Sequence, residues 1–122
     1  MIGYVTLGTN DIERAGKFYD ELLSEIGATR FMQMDRFIAW GVAPGQPMIS
    51  VIKPFDGNPA TVGNGVMVAI AVDSKEKVNA LHAKALALGG KDEGAPGLRG
   101  DAFYAGYFRD LDGNKLNAFV IG

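Results

Sequence analysis

Apolar and polar residues alternate along Tyr4-Val5-Thr6-Leu7-Gly8, with Val5 and Leu7 on one side and Tyr4 and Thr6 on the other. That is the period-two pattern of a strand with two unlike faces. The period then changes. Ile12, Ala15, Phe18, Tyr19, Leu22, Leu23 and Ile26 recur at helical spacing and predict a helix with one apolar stripe. Asn10 stands where a helix cap is wanted, and Glu13 three residues on completes a capping box. The same order then returns. Residues 66–72 predict a strand, Asp73 with Glu76 repeats the cap, and Val78, Leu81, His82, Ala85 and Leu88 repeat the stripe. Asp11 and Gly27 are 16 residues apart, and so are Asp73 and Gly89. Two matched strand–helix units imply a duplicated module.

The intervals fill in the rest. Gly27 ends the first helix. Residues 29–34, 36–42 and 48–53 predict strands, with turns near Asp35 and across 43–47, where Pro and Gly cluster. Module one is therefore strand, helix and three strands over about residues 1–53. Residues 54–65, rich in Pro, Gly and Asn, read as a linker. Module two covers about residues 66–122. Its helix runs from Ser74 to about Leu88 and is ended by Gly89-Gly90. A short strand at 91–94, a glycine-rich loop at 95–101 that holds Arg99, and strands at 102–109 and 115–121 follow. The expected fold is a single α+β domain, residues 1–122, of two tandem βαβββ modules. Each helix shields one face of its sheet, and the other faces curve around a shared cleft of the kind that takes small molecules.

Composition narrows the function. A chain of 122 residues with 48% apolar content builds one core. The net charge of −2 offers no basic field for nucleic acid or an acidic membrane. The absence of cysteine excludes disulfides, thiolate metal sites and a cysteine nucleophile. No apolar run approaches the roughly 20 residues of a membrane span, so a cytoplasmic protein is expected.

Several stretches together resemble the vicinal-oxygen-chelate superfamily of glyoxalase I, extradiol dioxygenases, fosfomycin-resistance enzymes and bleomycin-binding proteins. They are the segment from Val5 to Ala15, then Phe18-Tyr19-Asp20, Leu81 to Leu86 with Gly89-Gly90, and Tyr107 to Leu116. The last is similar to the family's strand–DPDG–strand hairpin, with Leu111 in place of Pro. The resemblance implies a homodimer. It also implies one metal ligand, usually His or Glu, on each of four strands. Carried over, those positions fall on Tyr4, Ser50, Met67 and Asn117, none of them a His or a carboxylate. A phenol, a hydroxyl, a thioether and an amide are poor partners for a divalent ion, so no metal and no other cofactor is expected.

Alternation assigns the cleft face to Tyr4, Thr6, Met48, Ser50, Ile52, Met67, Ala69, Ala71, Lys115, Asn117 and Phe119. A simple hairpin register pairs Gly106 with Asn117 and brings Tyr104 and Phe108 to that face, unless a bulge reverses it. The expected ligand-binding set is thus Tyr4, Thr6, Ser50, Met67, Ala69, Tyr104, Phe108 and Asn117, around an apolar or aromatic small molecule. His82, the one histidine, reads as a packed helix residue with a backbone or water partner. Asp110, Asp112 and Asn114 read as a hairpin turn rather than half a calcium loop. Arg99 is either a solvated arginine or a clamp for a carboxylate or phosphate. The leading reading is a metal-free binding protein of bleomycin-resistance type. A glyoxalase-related lyase or isomerase with relocated groups is the alternative, and it lacks a base on the expected face. An oligomerising module with a filled cleft is the third.

Overall fold

The computed structural model describes residues 1–122. In chain order the elements are β1 (Tyr4–Gly8), α1 (Ile12–Ser24), β2 (Thr29–Met34), β3 (Phe37–Gly41), β4 (Met48–Ile52), β5 (Val68–Ala71), α2 (Lys75–Ala87), β6 (Lys91–Leu98), β7 (Phe103–Arg109) and β8 (Lys115–Ile121). They form two compact units, Met1–Gly63 and Asn64–Gly122. Each is a βαβββ module with its own four-stranded mixed sheet, ordered β1-β4-β3-β2 in the first and β5-β8-β7-β6 in the second. The pairs β1/β4 and β5/β8 are parallel, and the other pairs are antiparallel. The α+β class and the duplicated βαβββ order are those the periodicity predicts.

Each helix lays its stripe on one face of its sheet. In the first unit Phe18, Tyr19, Leu22 and Leu23 of α1 are buried, as are Leu7, Ile38, Trp40 and Val51 of the strands. In the second, Val78, Leu81 and Ala85 of α2 are buried, as are Ile70, Phe108, Leu116 and Ala118. Both caps lie one residue beyond the expected positions. Asp11 caps α1 by accepting from the Arg14 N–H at 3.0 Å, and Ser74 caps α2 by accepting from the Lys77 N–H at 3.2 Å. Asn10 is used elsewhere. Its Oδ1 accepts from the Ala60 N–H at 2.6 Å and its Nδ2 donates to the Ala60 carbonyl at 3.3 Å, so it clips residue 60 to the start of α1. Glu13 and Glu76 then sit in the first helical turns, where negative charge complements the macrodipole.

Three further expectations are corrected. β5 spans Val68–Ala71 and is shorter than 66–72. β6 is longer than expected and takes in most of the glycine-rich stretch read as a loop. It lies at a sheet edge, and its register shifts between Asp92 and Gly94 and again between Gly94 and Gly97; edges tolerate such irregular pairing. The third concerns β7 and β8. Gly106 pairs with Ala118, not Asn117, and Tyr107 takes the place opposite Asn117. Asp110 sets this register. Its Oδ1 accepts from the N–H groups of Asp112 and Asn114, both at 2.9 Å, and holds the five residues between β7 and β8 in one conformation. A one-residue slip reverses every side chain, so Tyr104 and Phe108 lie on the helix side. Phe108 is fully buried there, and the Tyr104 hydroxyl is 2.7 Å from Asn79 Oδ1 of α2.

A polar network ties α1 to its sheet. Arg30 of β2 donates Nε and Nη2 to the two oxygens of Asp20, at 2.8 and 2.9 Å, and the indole N–H of Trp40 donates to Asp20 Oδ1 at 2.8 Å. Gly16 makes room for it, since a Cβ there would stand 2.7 Å from Arg30 Nη2. The Arg30 hydrogen bonds hold the Asp20 carboxyl below its ordinary value against the opposing effect of burial, and the Trp40 bond adds to the shift. A carboxyl lowered in the fold binds fewer protons there than in the unfolded chain. Its contribution is present above the unfolded value of about 4 and is lost as pH falls through the folded value. Asp20→Asn should therefore lower stability by about 1 kcal/mol at neutral pH, the scale for a partly exposed charged pair. In urea titrations repeated at several pH values, the gap from wild type should narrow below about pH 4.

Candidate functional site

The sheet face that α1 does not cover is apolar and open. β1 and β4 pair Tyr4 with Met48, Thr6 with Ser50 and Gly8 with Ile52. β3 sets Ala39 beside Ser50 and Phe37 beside Ile52, and β2 sets Met32 beside Ala39 and Met34 beside Phe37. The result is a hollow of about 560 Å³ walled by Tyr4, Phe37, Met32, Met34, Met48 and Ile52, with Asp35 and Arg36 also on its lining. That volume lies within the range of small-molecule sites. The Tyr4 and Phe37 rings meet edge to face at 6.1 Å. Thioether sulfurs and aromatic rings adapt to varied apolar shapes. Arg36 is anchored, with Nη2 donating to the Lys53 carbonyl at 3.0 Å and its guanidinium 5.8 Å from the Phe55 ring centroid.

Of the expected site residues, Tyr4, Thr6 and Ser50 share this face. Tyr4 is 57% exposed. Ser50 is fully buried, and its hydroxyl is committed to the Val5 carbonyl at 2.7 Å, with Thr6 Oγ1 at 3.1 Å. In the second unit Ala69 and Asn117 are partners across β5 and β8, on the face that α2 leaves open. Met67 lies one residue before β5. Asn117 is 1% exposed, and its Oδ1 has no hydrogen-bond partner. Tyr104 and Phe108 are not brought to that face. The sequence reading missed Met32, Met34, Asp35, Arg36 and Phe37. Alternation within 29–34 and 36–42 carries part of that signal, but a register shift between Arg30 and Met32 breaks it.

His82 lies on the α2 side of its sheet, 6% exposed. Its partner is neither backbone nor water as expected, but a carboxylate: Nε2 is 2.9 Å from Asp92 Oδ1. The Gly94 N–H, followed by His82, holds the Asp92 carboxyl below its ordinary value. The pair fastens irregular β6 to the helix. No group of three or more His, Cys, Asp or Glu side chains is arranged to hold a metal ion. No helix is long and apolar enough to cross a membrane.

Two βαβββ modules, each with a helix on one face of a four-stranded mixed sheet, define a glyoxalase-like α+β protein. The Glyoxalase/Bleomycin resistance protein/Dioxygenase superfamily profile matches residues 1–118, and the chain belongs to that superfamily. It is 36% identical to a glyoxalase/bleomycin resistance protein from Albidiferax ferrireducens, over 100% of this chain and 99% of that one, with a TM-score of 0.92. It shares its fold with a lactoylglutathione lyase from Agrobacterium tumefaciens, at 19% identity, 98% and 92% coverage and TM-score 0.72. It also shares its fold with a fosfomycin resistance protein from Mesorhizobium loti, at 15% identity, 100% and 92% coverage and TM-score 0.70. No curated protein matches the chain significantly.

Proposed function

We propose that this chain is a small-molecule-binding member of its superfamily, of bleomycin-resistance type, and that it takes an apolar or aromatic ligand. The observation that carries this reading is the open hollow of the first sheet, where two aromatic rings and three thioethers face solvent together. Burying such a surface under an apolar ligand is favourable by about 25 cal/mol per Å². The superfamily's metal positions support the same reading. Tyr4 offers a phenol that must lose its proton before it can bind a metal, the Ser50 proton is already given to Val5, Met67 offers a thioether and Asn117 an amide. That donor set does not fit a divalent ion that prefers imidazole and carboxylate. A homodimer in the cytoplasm belongs to this proposal.

Titration with the neutral fluorophore N-phenyl-1-naphthylamine tests it. Saturable binding is expected, weakened by about 1–2 kcal/mol in Tyr4→Ala through lost apolar contact and nearly unchanged in His82→Gln. Micromolar zinc or manganese should leave the melting temperature where it is, since only a ligand that prefers the folded state raises it. A metal-induced rise that disappears in Asn117→Ala, or fluorophore binding indifferent to Tyr4, would overturn the reading. A lyase or isomerase is the second reading. Asp35 favours it, because this carboxylate on the hollow is a base that the sequence reading lacked.

A further inference from the structure

The open face of the second sheet carries a feature that the apolar-ligand reading does not use. Arg99 follows directly on β6, and its guanidinium lies 5.5 Å from the Tyr107 ring centroid. Lys115 places its Nζ 5.6 Å from the same centroid. Tyr107 and Lys115 share this face with Asn117, since Tyr107 pairs with Asn117 and Lys115 precedes Asn117 by two residues on β8. Neither cation has a carboxylate partner; Arg109 and His82 take Glu93 and Asp92.

Arg99 is not a loose surface side chain. Its Nη2 donates to the Ala95 carbonyl at 2.8 Å. A Cβ on Gly94 would stand 3.2 Å from Nη2, and one on Gly97 would stand 3.1 Å from Nη1. Two missing side chains therefore make the slot in which the guanidinium rests. A planar donor fixed in advance loses little freedom when it binds a planar acceptor. Beyond it on the same face, Phe103 and Phe119 stack with centroids 5.2 Å apart.

We infer that this face is a carboxylate subsite, in which Arg99 and Lys115 receive the acid group of a small carboxylic acid whose apolar body lies against the Phe103–Phe119 stack. The guanidinium supplies paired N–H donors matched to two carboxylate oxygens. Lys115 adds a second positive charge on Tyr107, and the aromatic pair selects an organic acid over a bare anion. Because both cations are accessible, binding weakens as salt rises.

Amide-resolved NMR titration with phenylacetate, phenylacetamide and inorganic phosphate tests the subsite. Phenylacetate should shift the signals of Arg99, Tyr107 and Lys115 to saturation, and phenylacetamide should leave them in place. Arg99→Gln should weaken phenylacetate about tenfold, the equivalent of one charge-assisted hydrogen bond. Gly97→Ala keeps the charge, displaces the guanidinium and should weaken phenylacetate severalfold. Equal shifts with phenylacetamide, phosphate binding as tightly as phenylacetate, or Arg99→Gln binding like wild type would each overturn the proposal. Signals of Tyr4 and Met48 report separately on the hollow of the first sheet, so either reading can fail while the other stands.

Discussion

Phe108→Ala should destabilise the protein by about 3–5 kcal/mol, the scale for emptying a buried aromatic site, whereas Tyr107→Ala next to it should lose only about 1 kcal/mol. Phe108 is fully buried beneath α2, where the His82 ring meets it edge-on at 6.4 Å. Ala105, Gly106 and Leu116 around it are themselves buried, so little is free to collapse into the space. Tyr107 points to the opposite face and is half-buried. Urea denaturation of the two variants reads the β7–β8 register directly. If Gly106 faced Asn117, the two losses would exchange places, because one residue of slip exchanges the faces.

Leu22→Ala should cost about 2–5 kcal/mol, the range for removing a buried leucine side chain. Leu22 is wholly inaccessible on α1 and sits in the stripe with Phe18 and Tyr19 that meets the first sheet. Leu86 on α2 is 37% exposed, and Leu86→Ala should stay within about 0.5 kcal/mol, as surface substitutions do. Thermal or urea unfolding of both variants tests the phase of each helix. A loss below about 0.5 kcal/mol for Leu22→Ala would place that side chain at the surface.

The candidate site was legible in part. Tyr4, Thr6 and Ser50 follow from alternation along β1 and β4, and Ala69 and Asn117 from alternation along β5 and β8, because those strand pairs are without irregularity. Met32 and Met34 were not legible, since the register shift after Arg30 breaks the alternation that would assign them. The character of Ser50 was hidden as well. The sequence shows a hydroxyl on the right face, and the fold commits it to the Val5 carbonyl 45 residues away. Arg99 lies in a glycine-rich stretch, which reads as a loop from composition. Most of that stretch belongs to an irregular edge strand, and the side chain just beyond it is held by the absence of two neighbours.

The sequence by itself determined the elements, their order and their duplication. Those rest on periodicity, and periodicity is local: the stripe of α1 and the alternation of β1 need no knowledge of distant residues. It also brought the caps to within one residue. Asn10 and Asp11, like Asp73 and Ser74, are neighbours of equal capping ability, and the first choice depends on Ala60, which occupies Asn10 from 50 residues away. Tertiary structure alone decided the carboxylate partner of His82, the walls of the hollow and the pose of Arg99. Each depends on which backbone or side-chain groups distant segments bring into reach. A pattern of apolar and polar positions records which face a residue prefers, and it does not record what waits on that face.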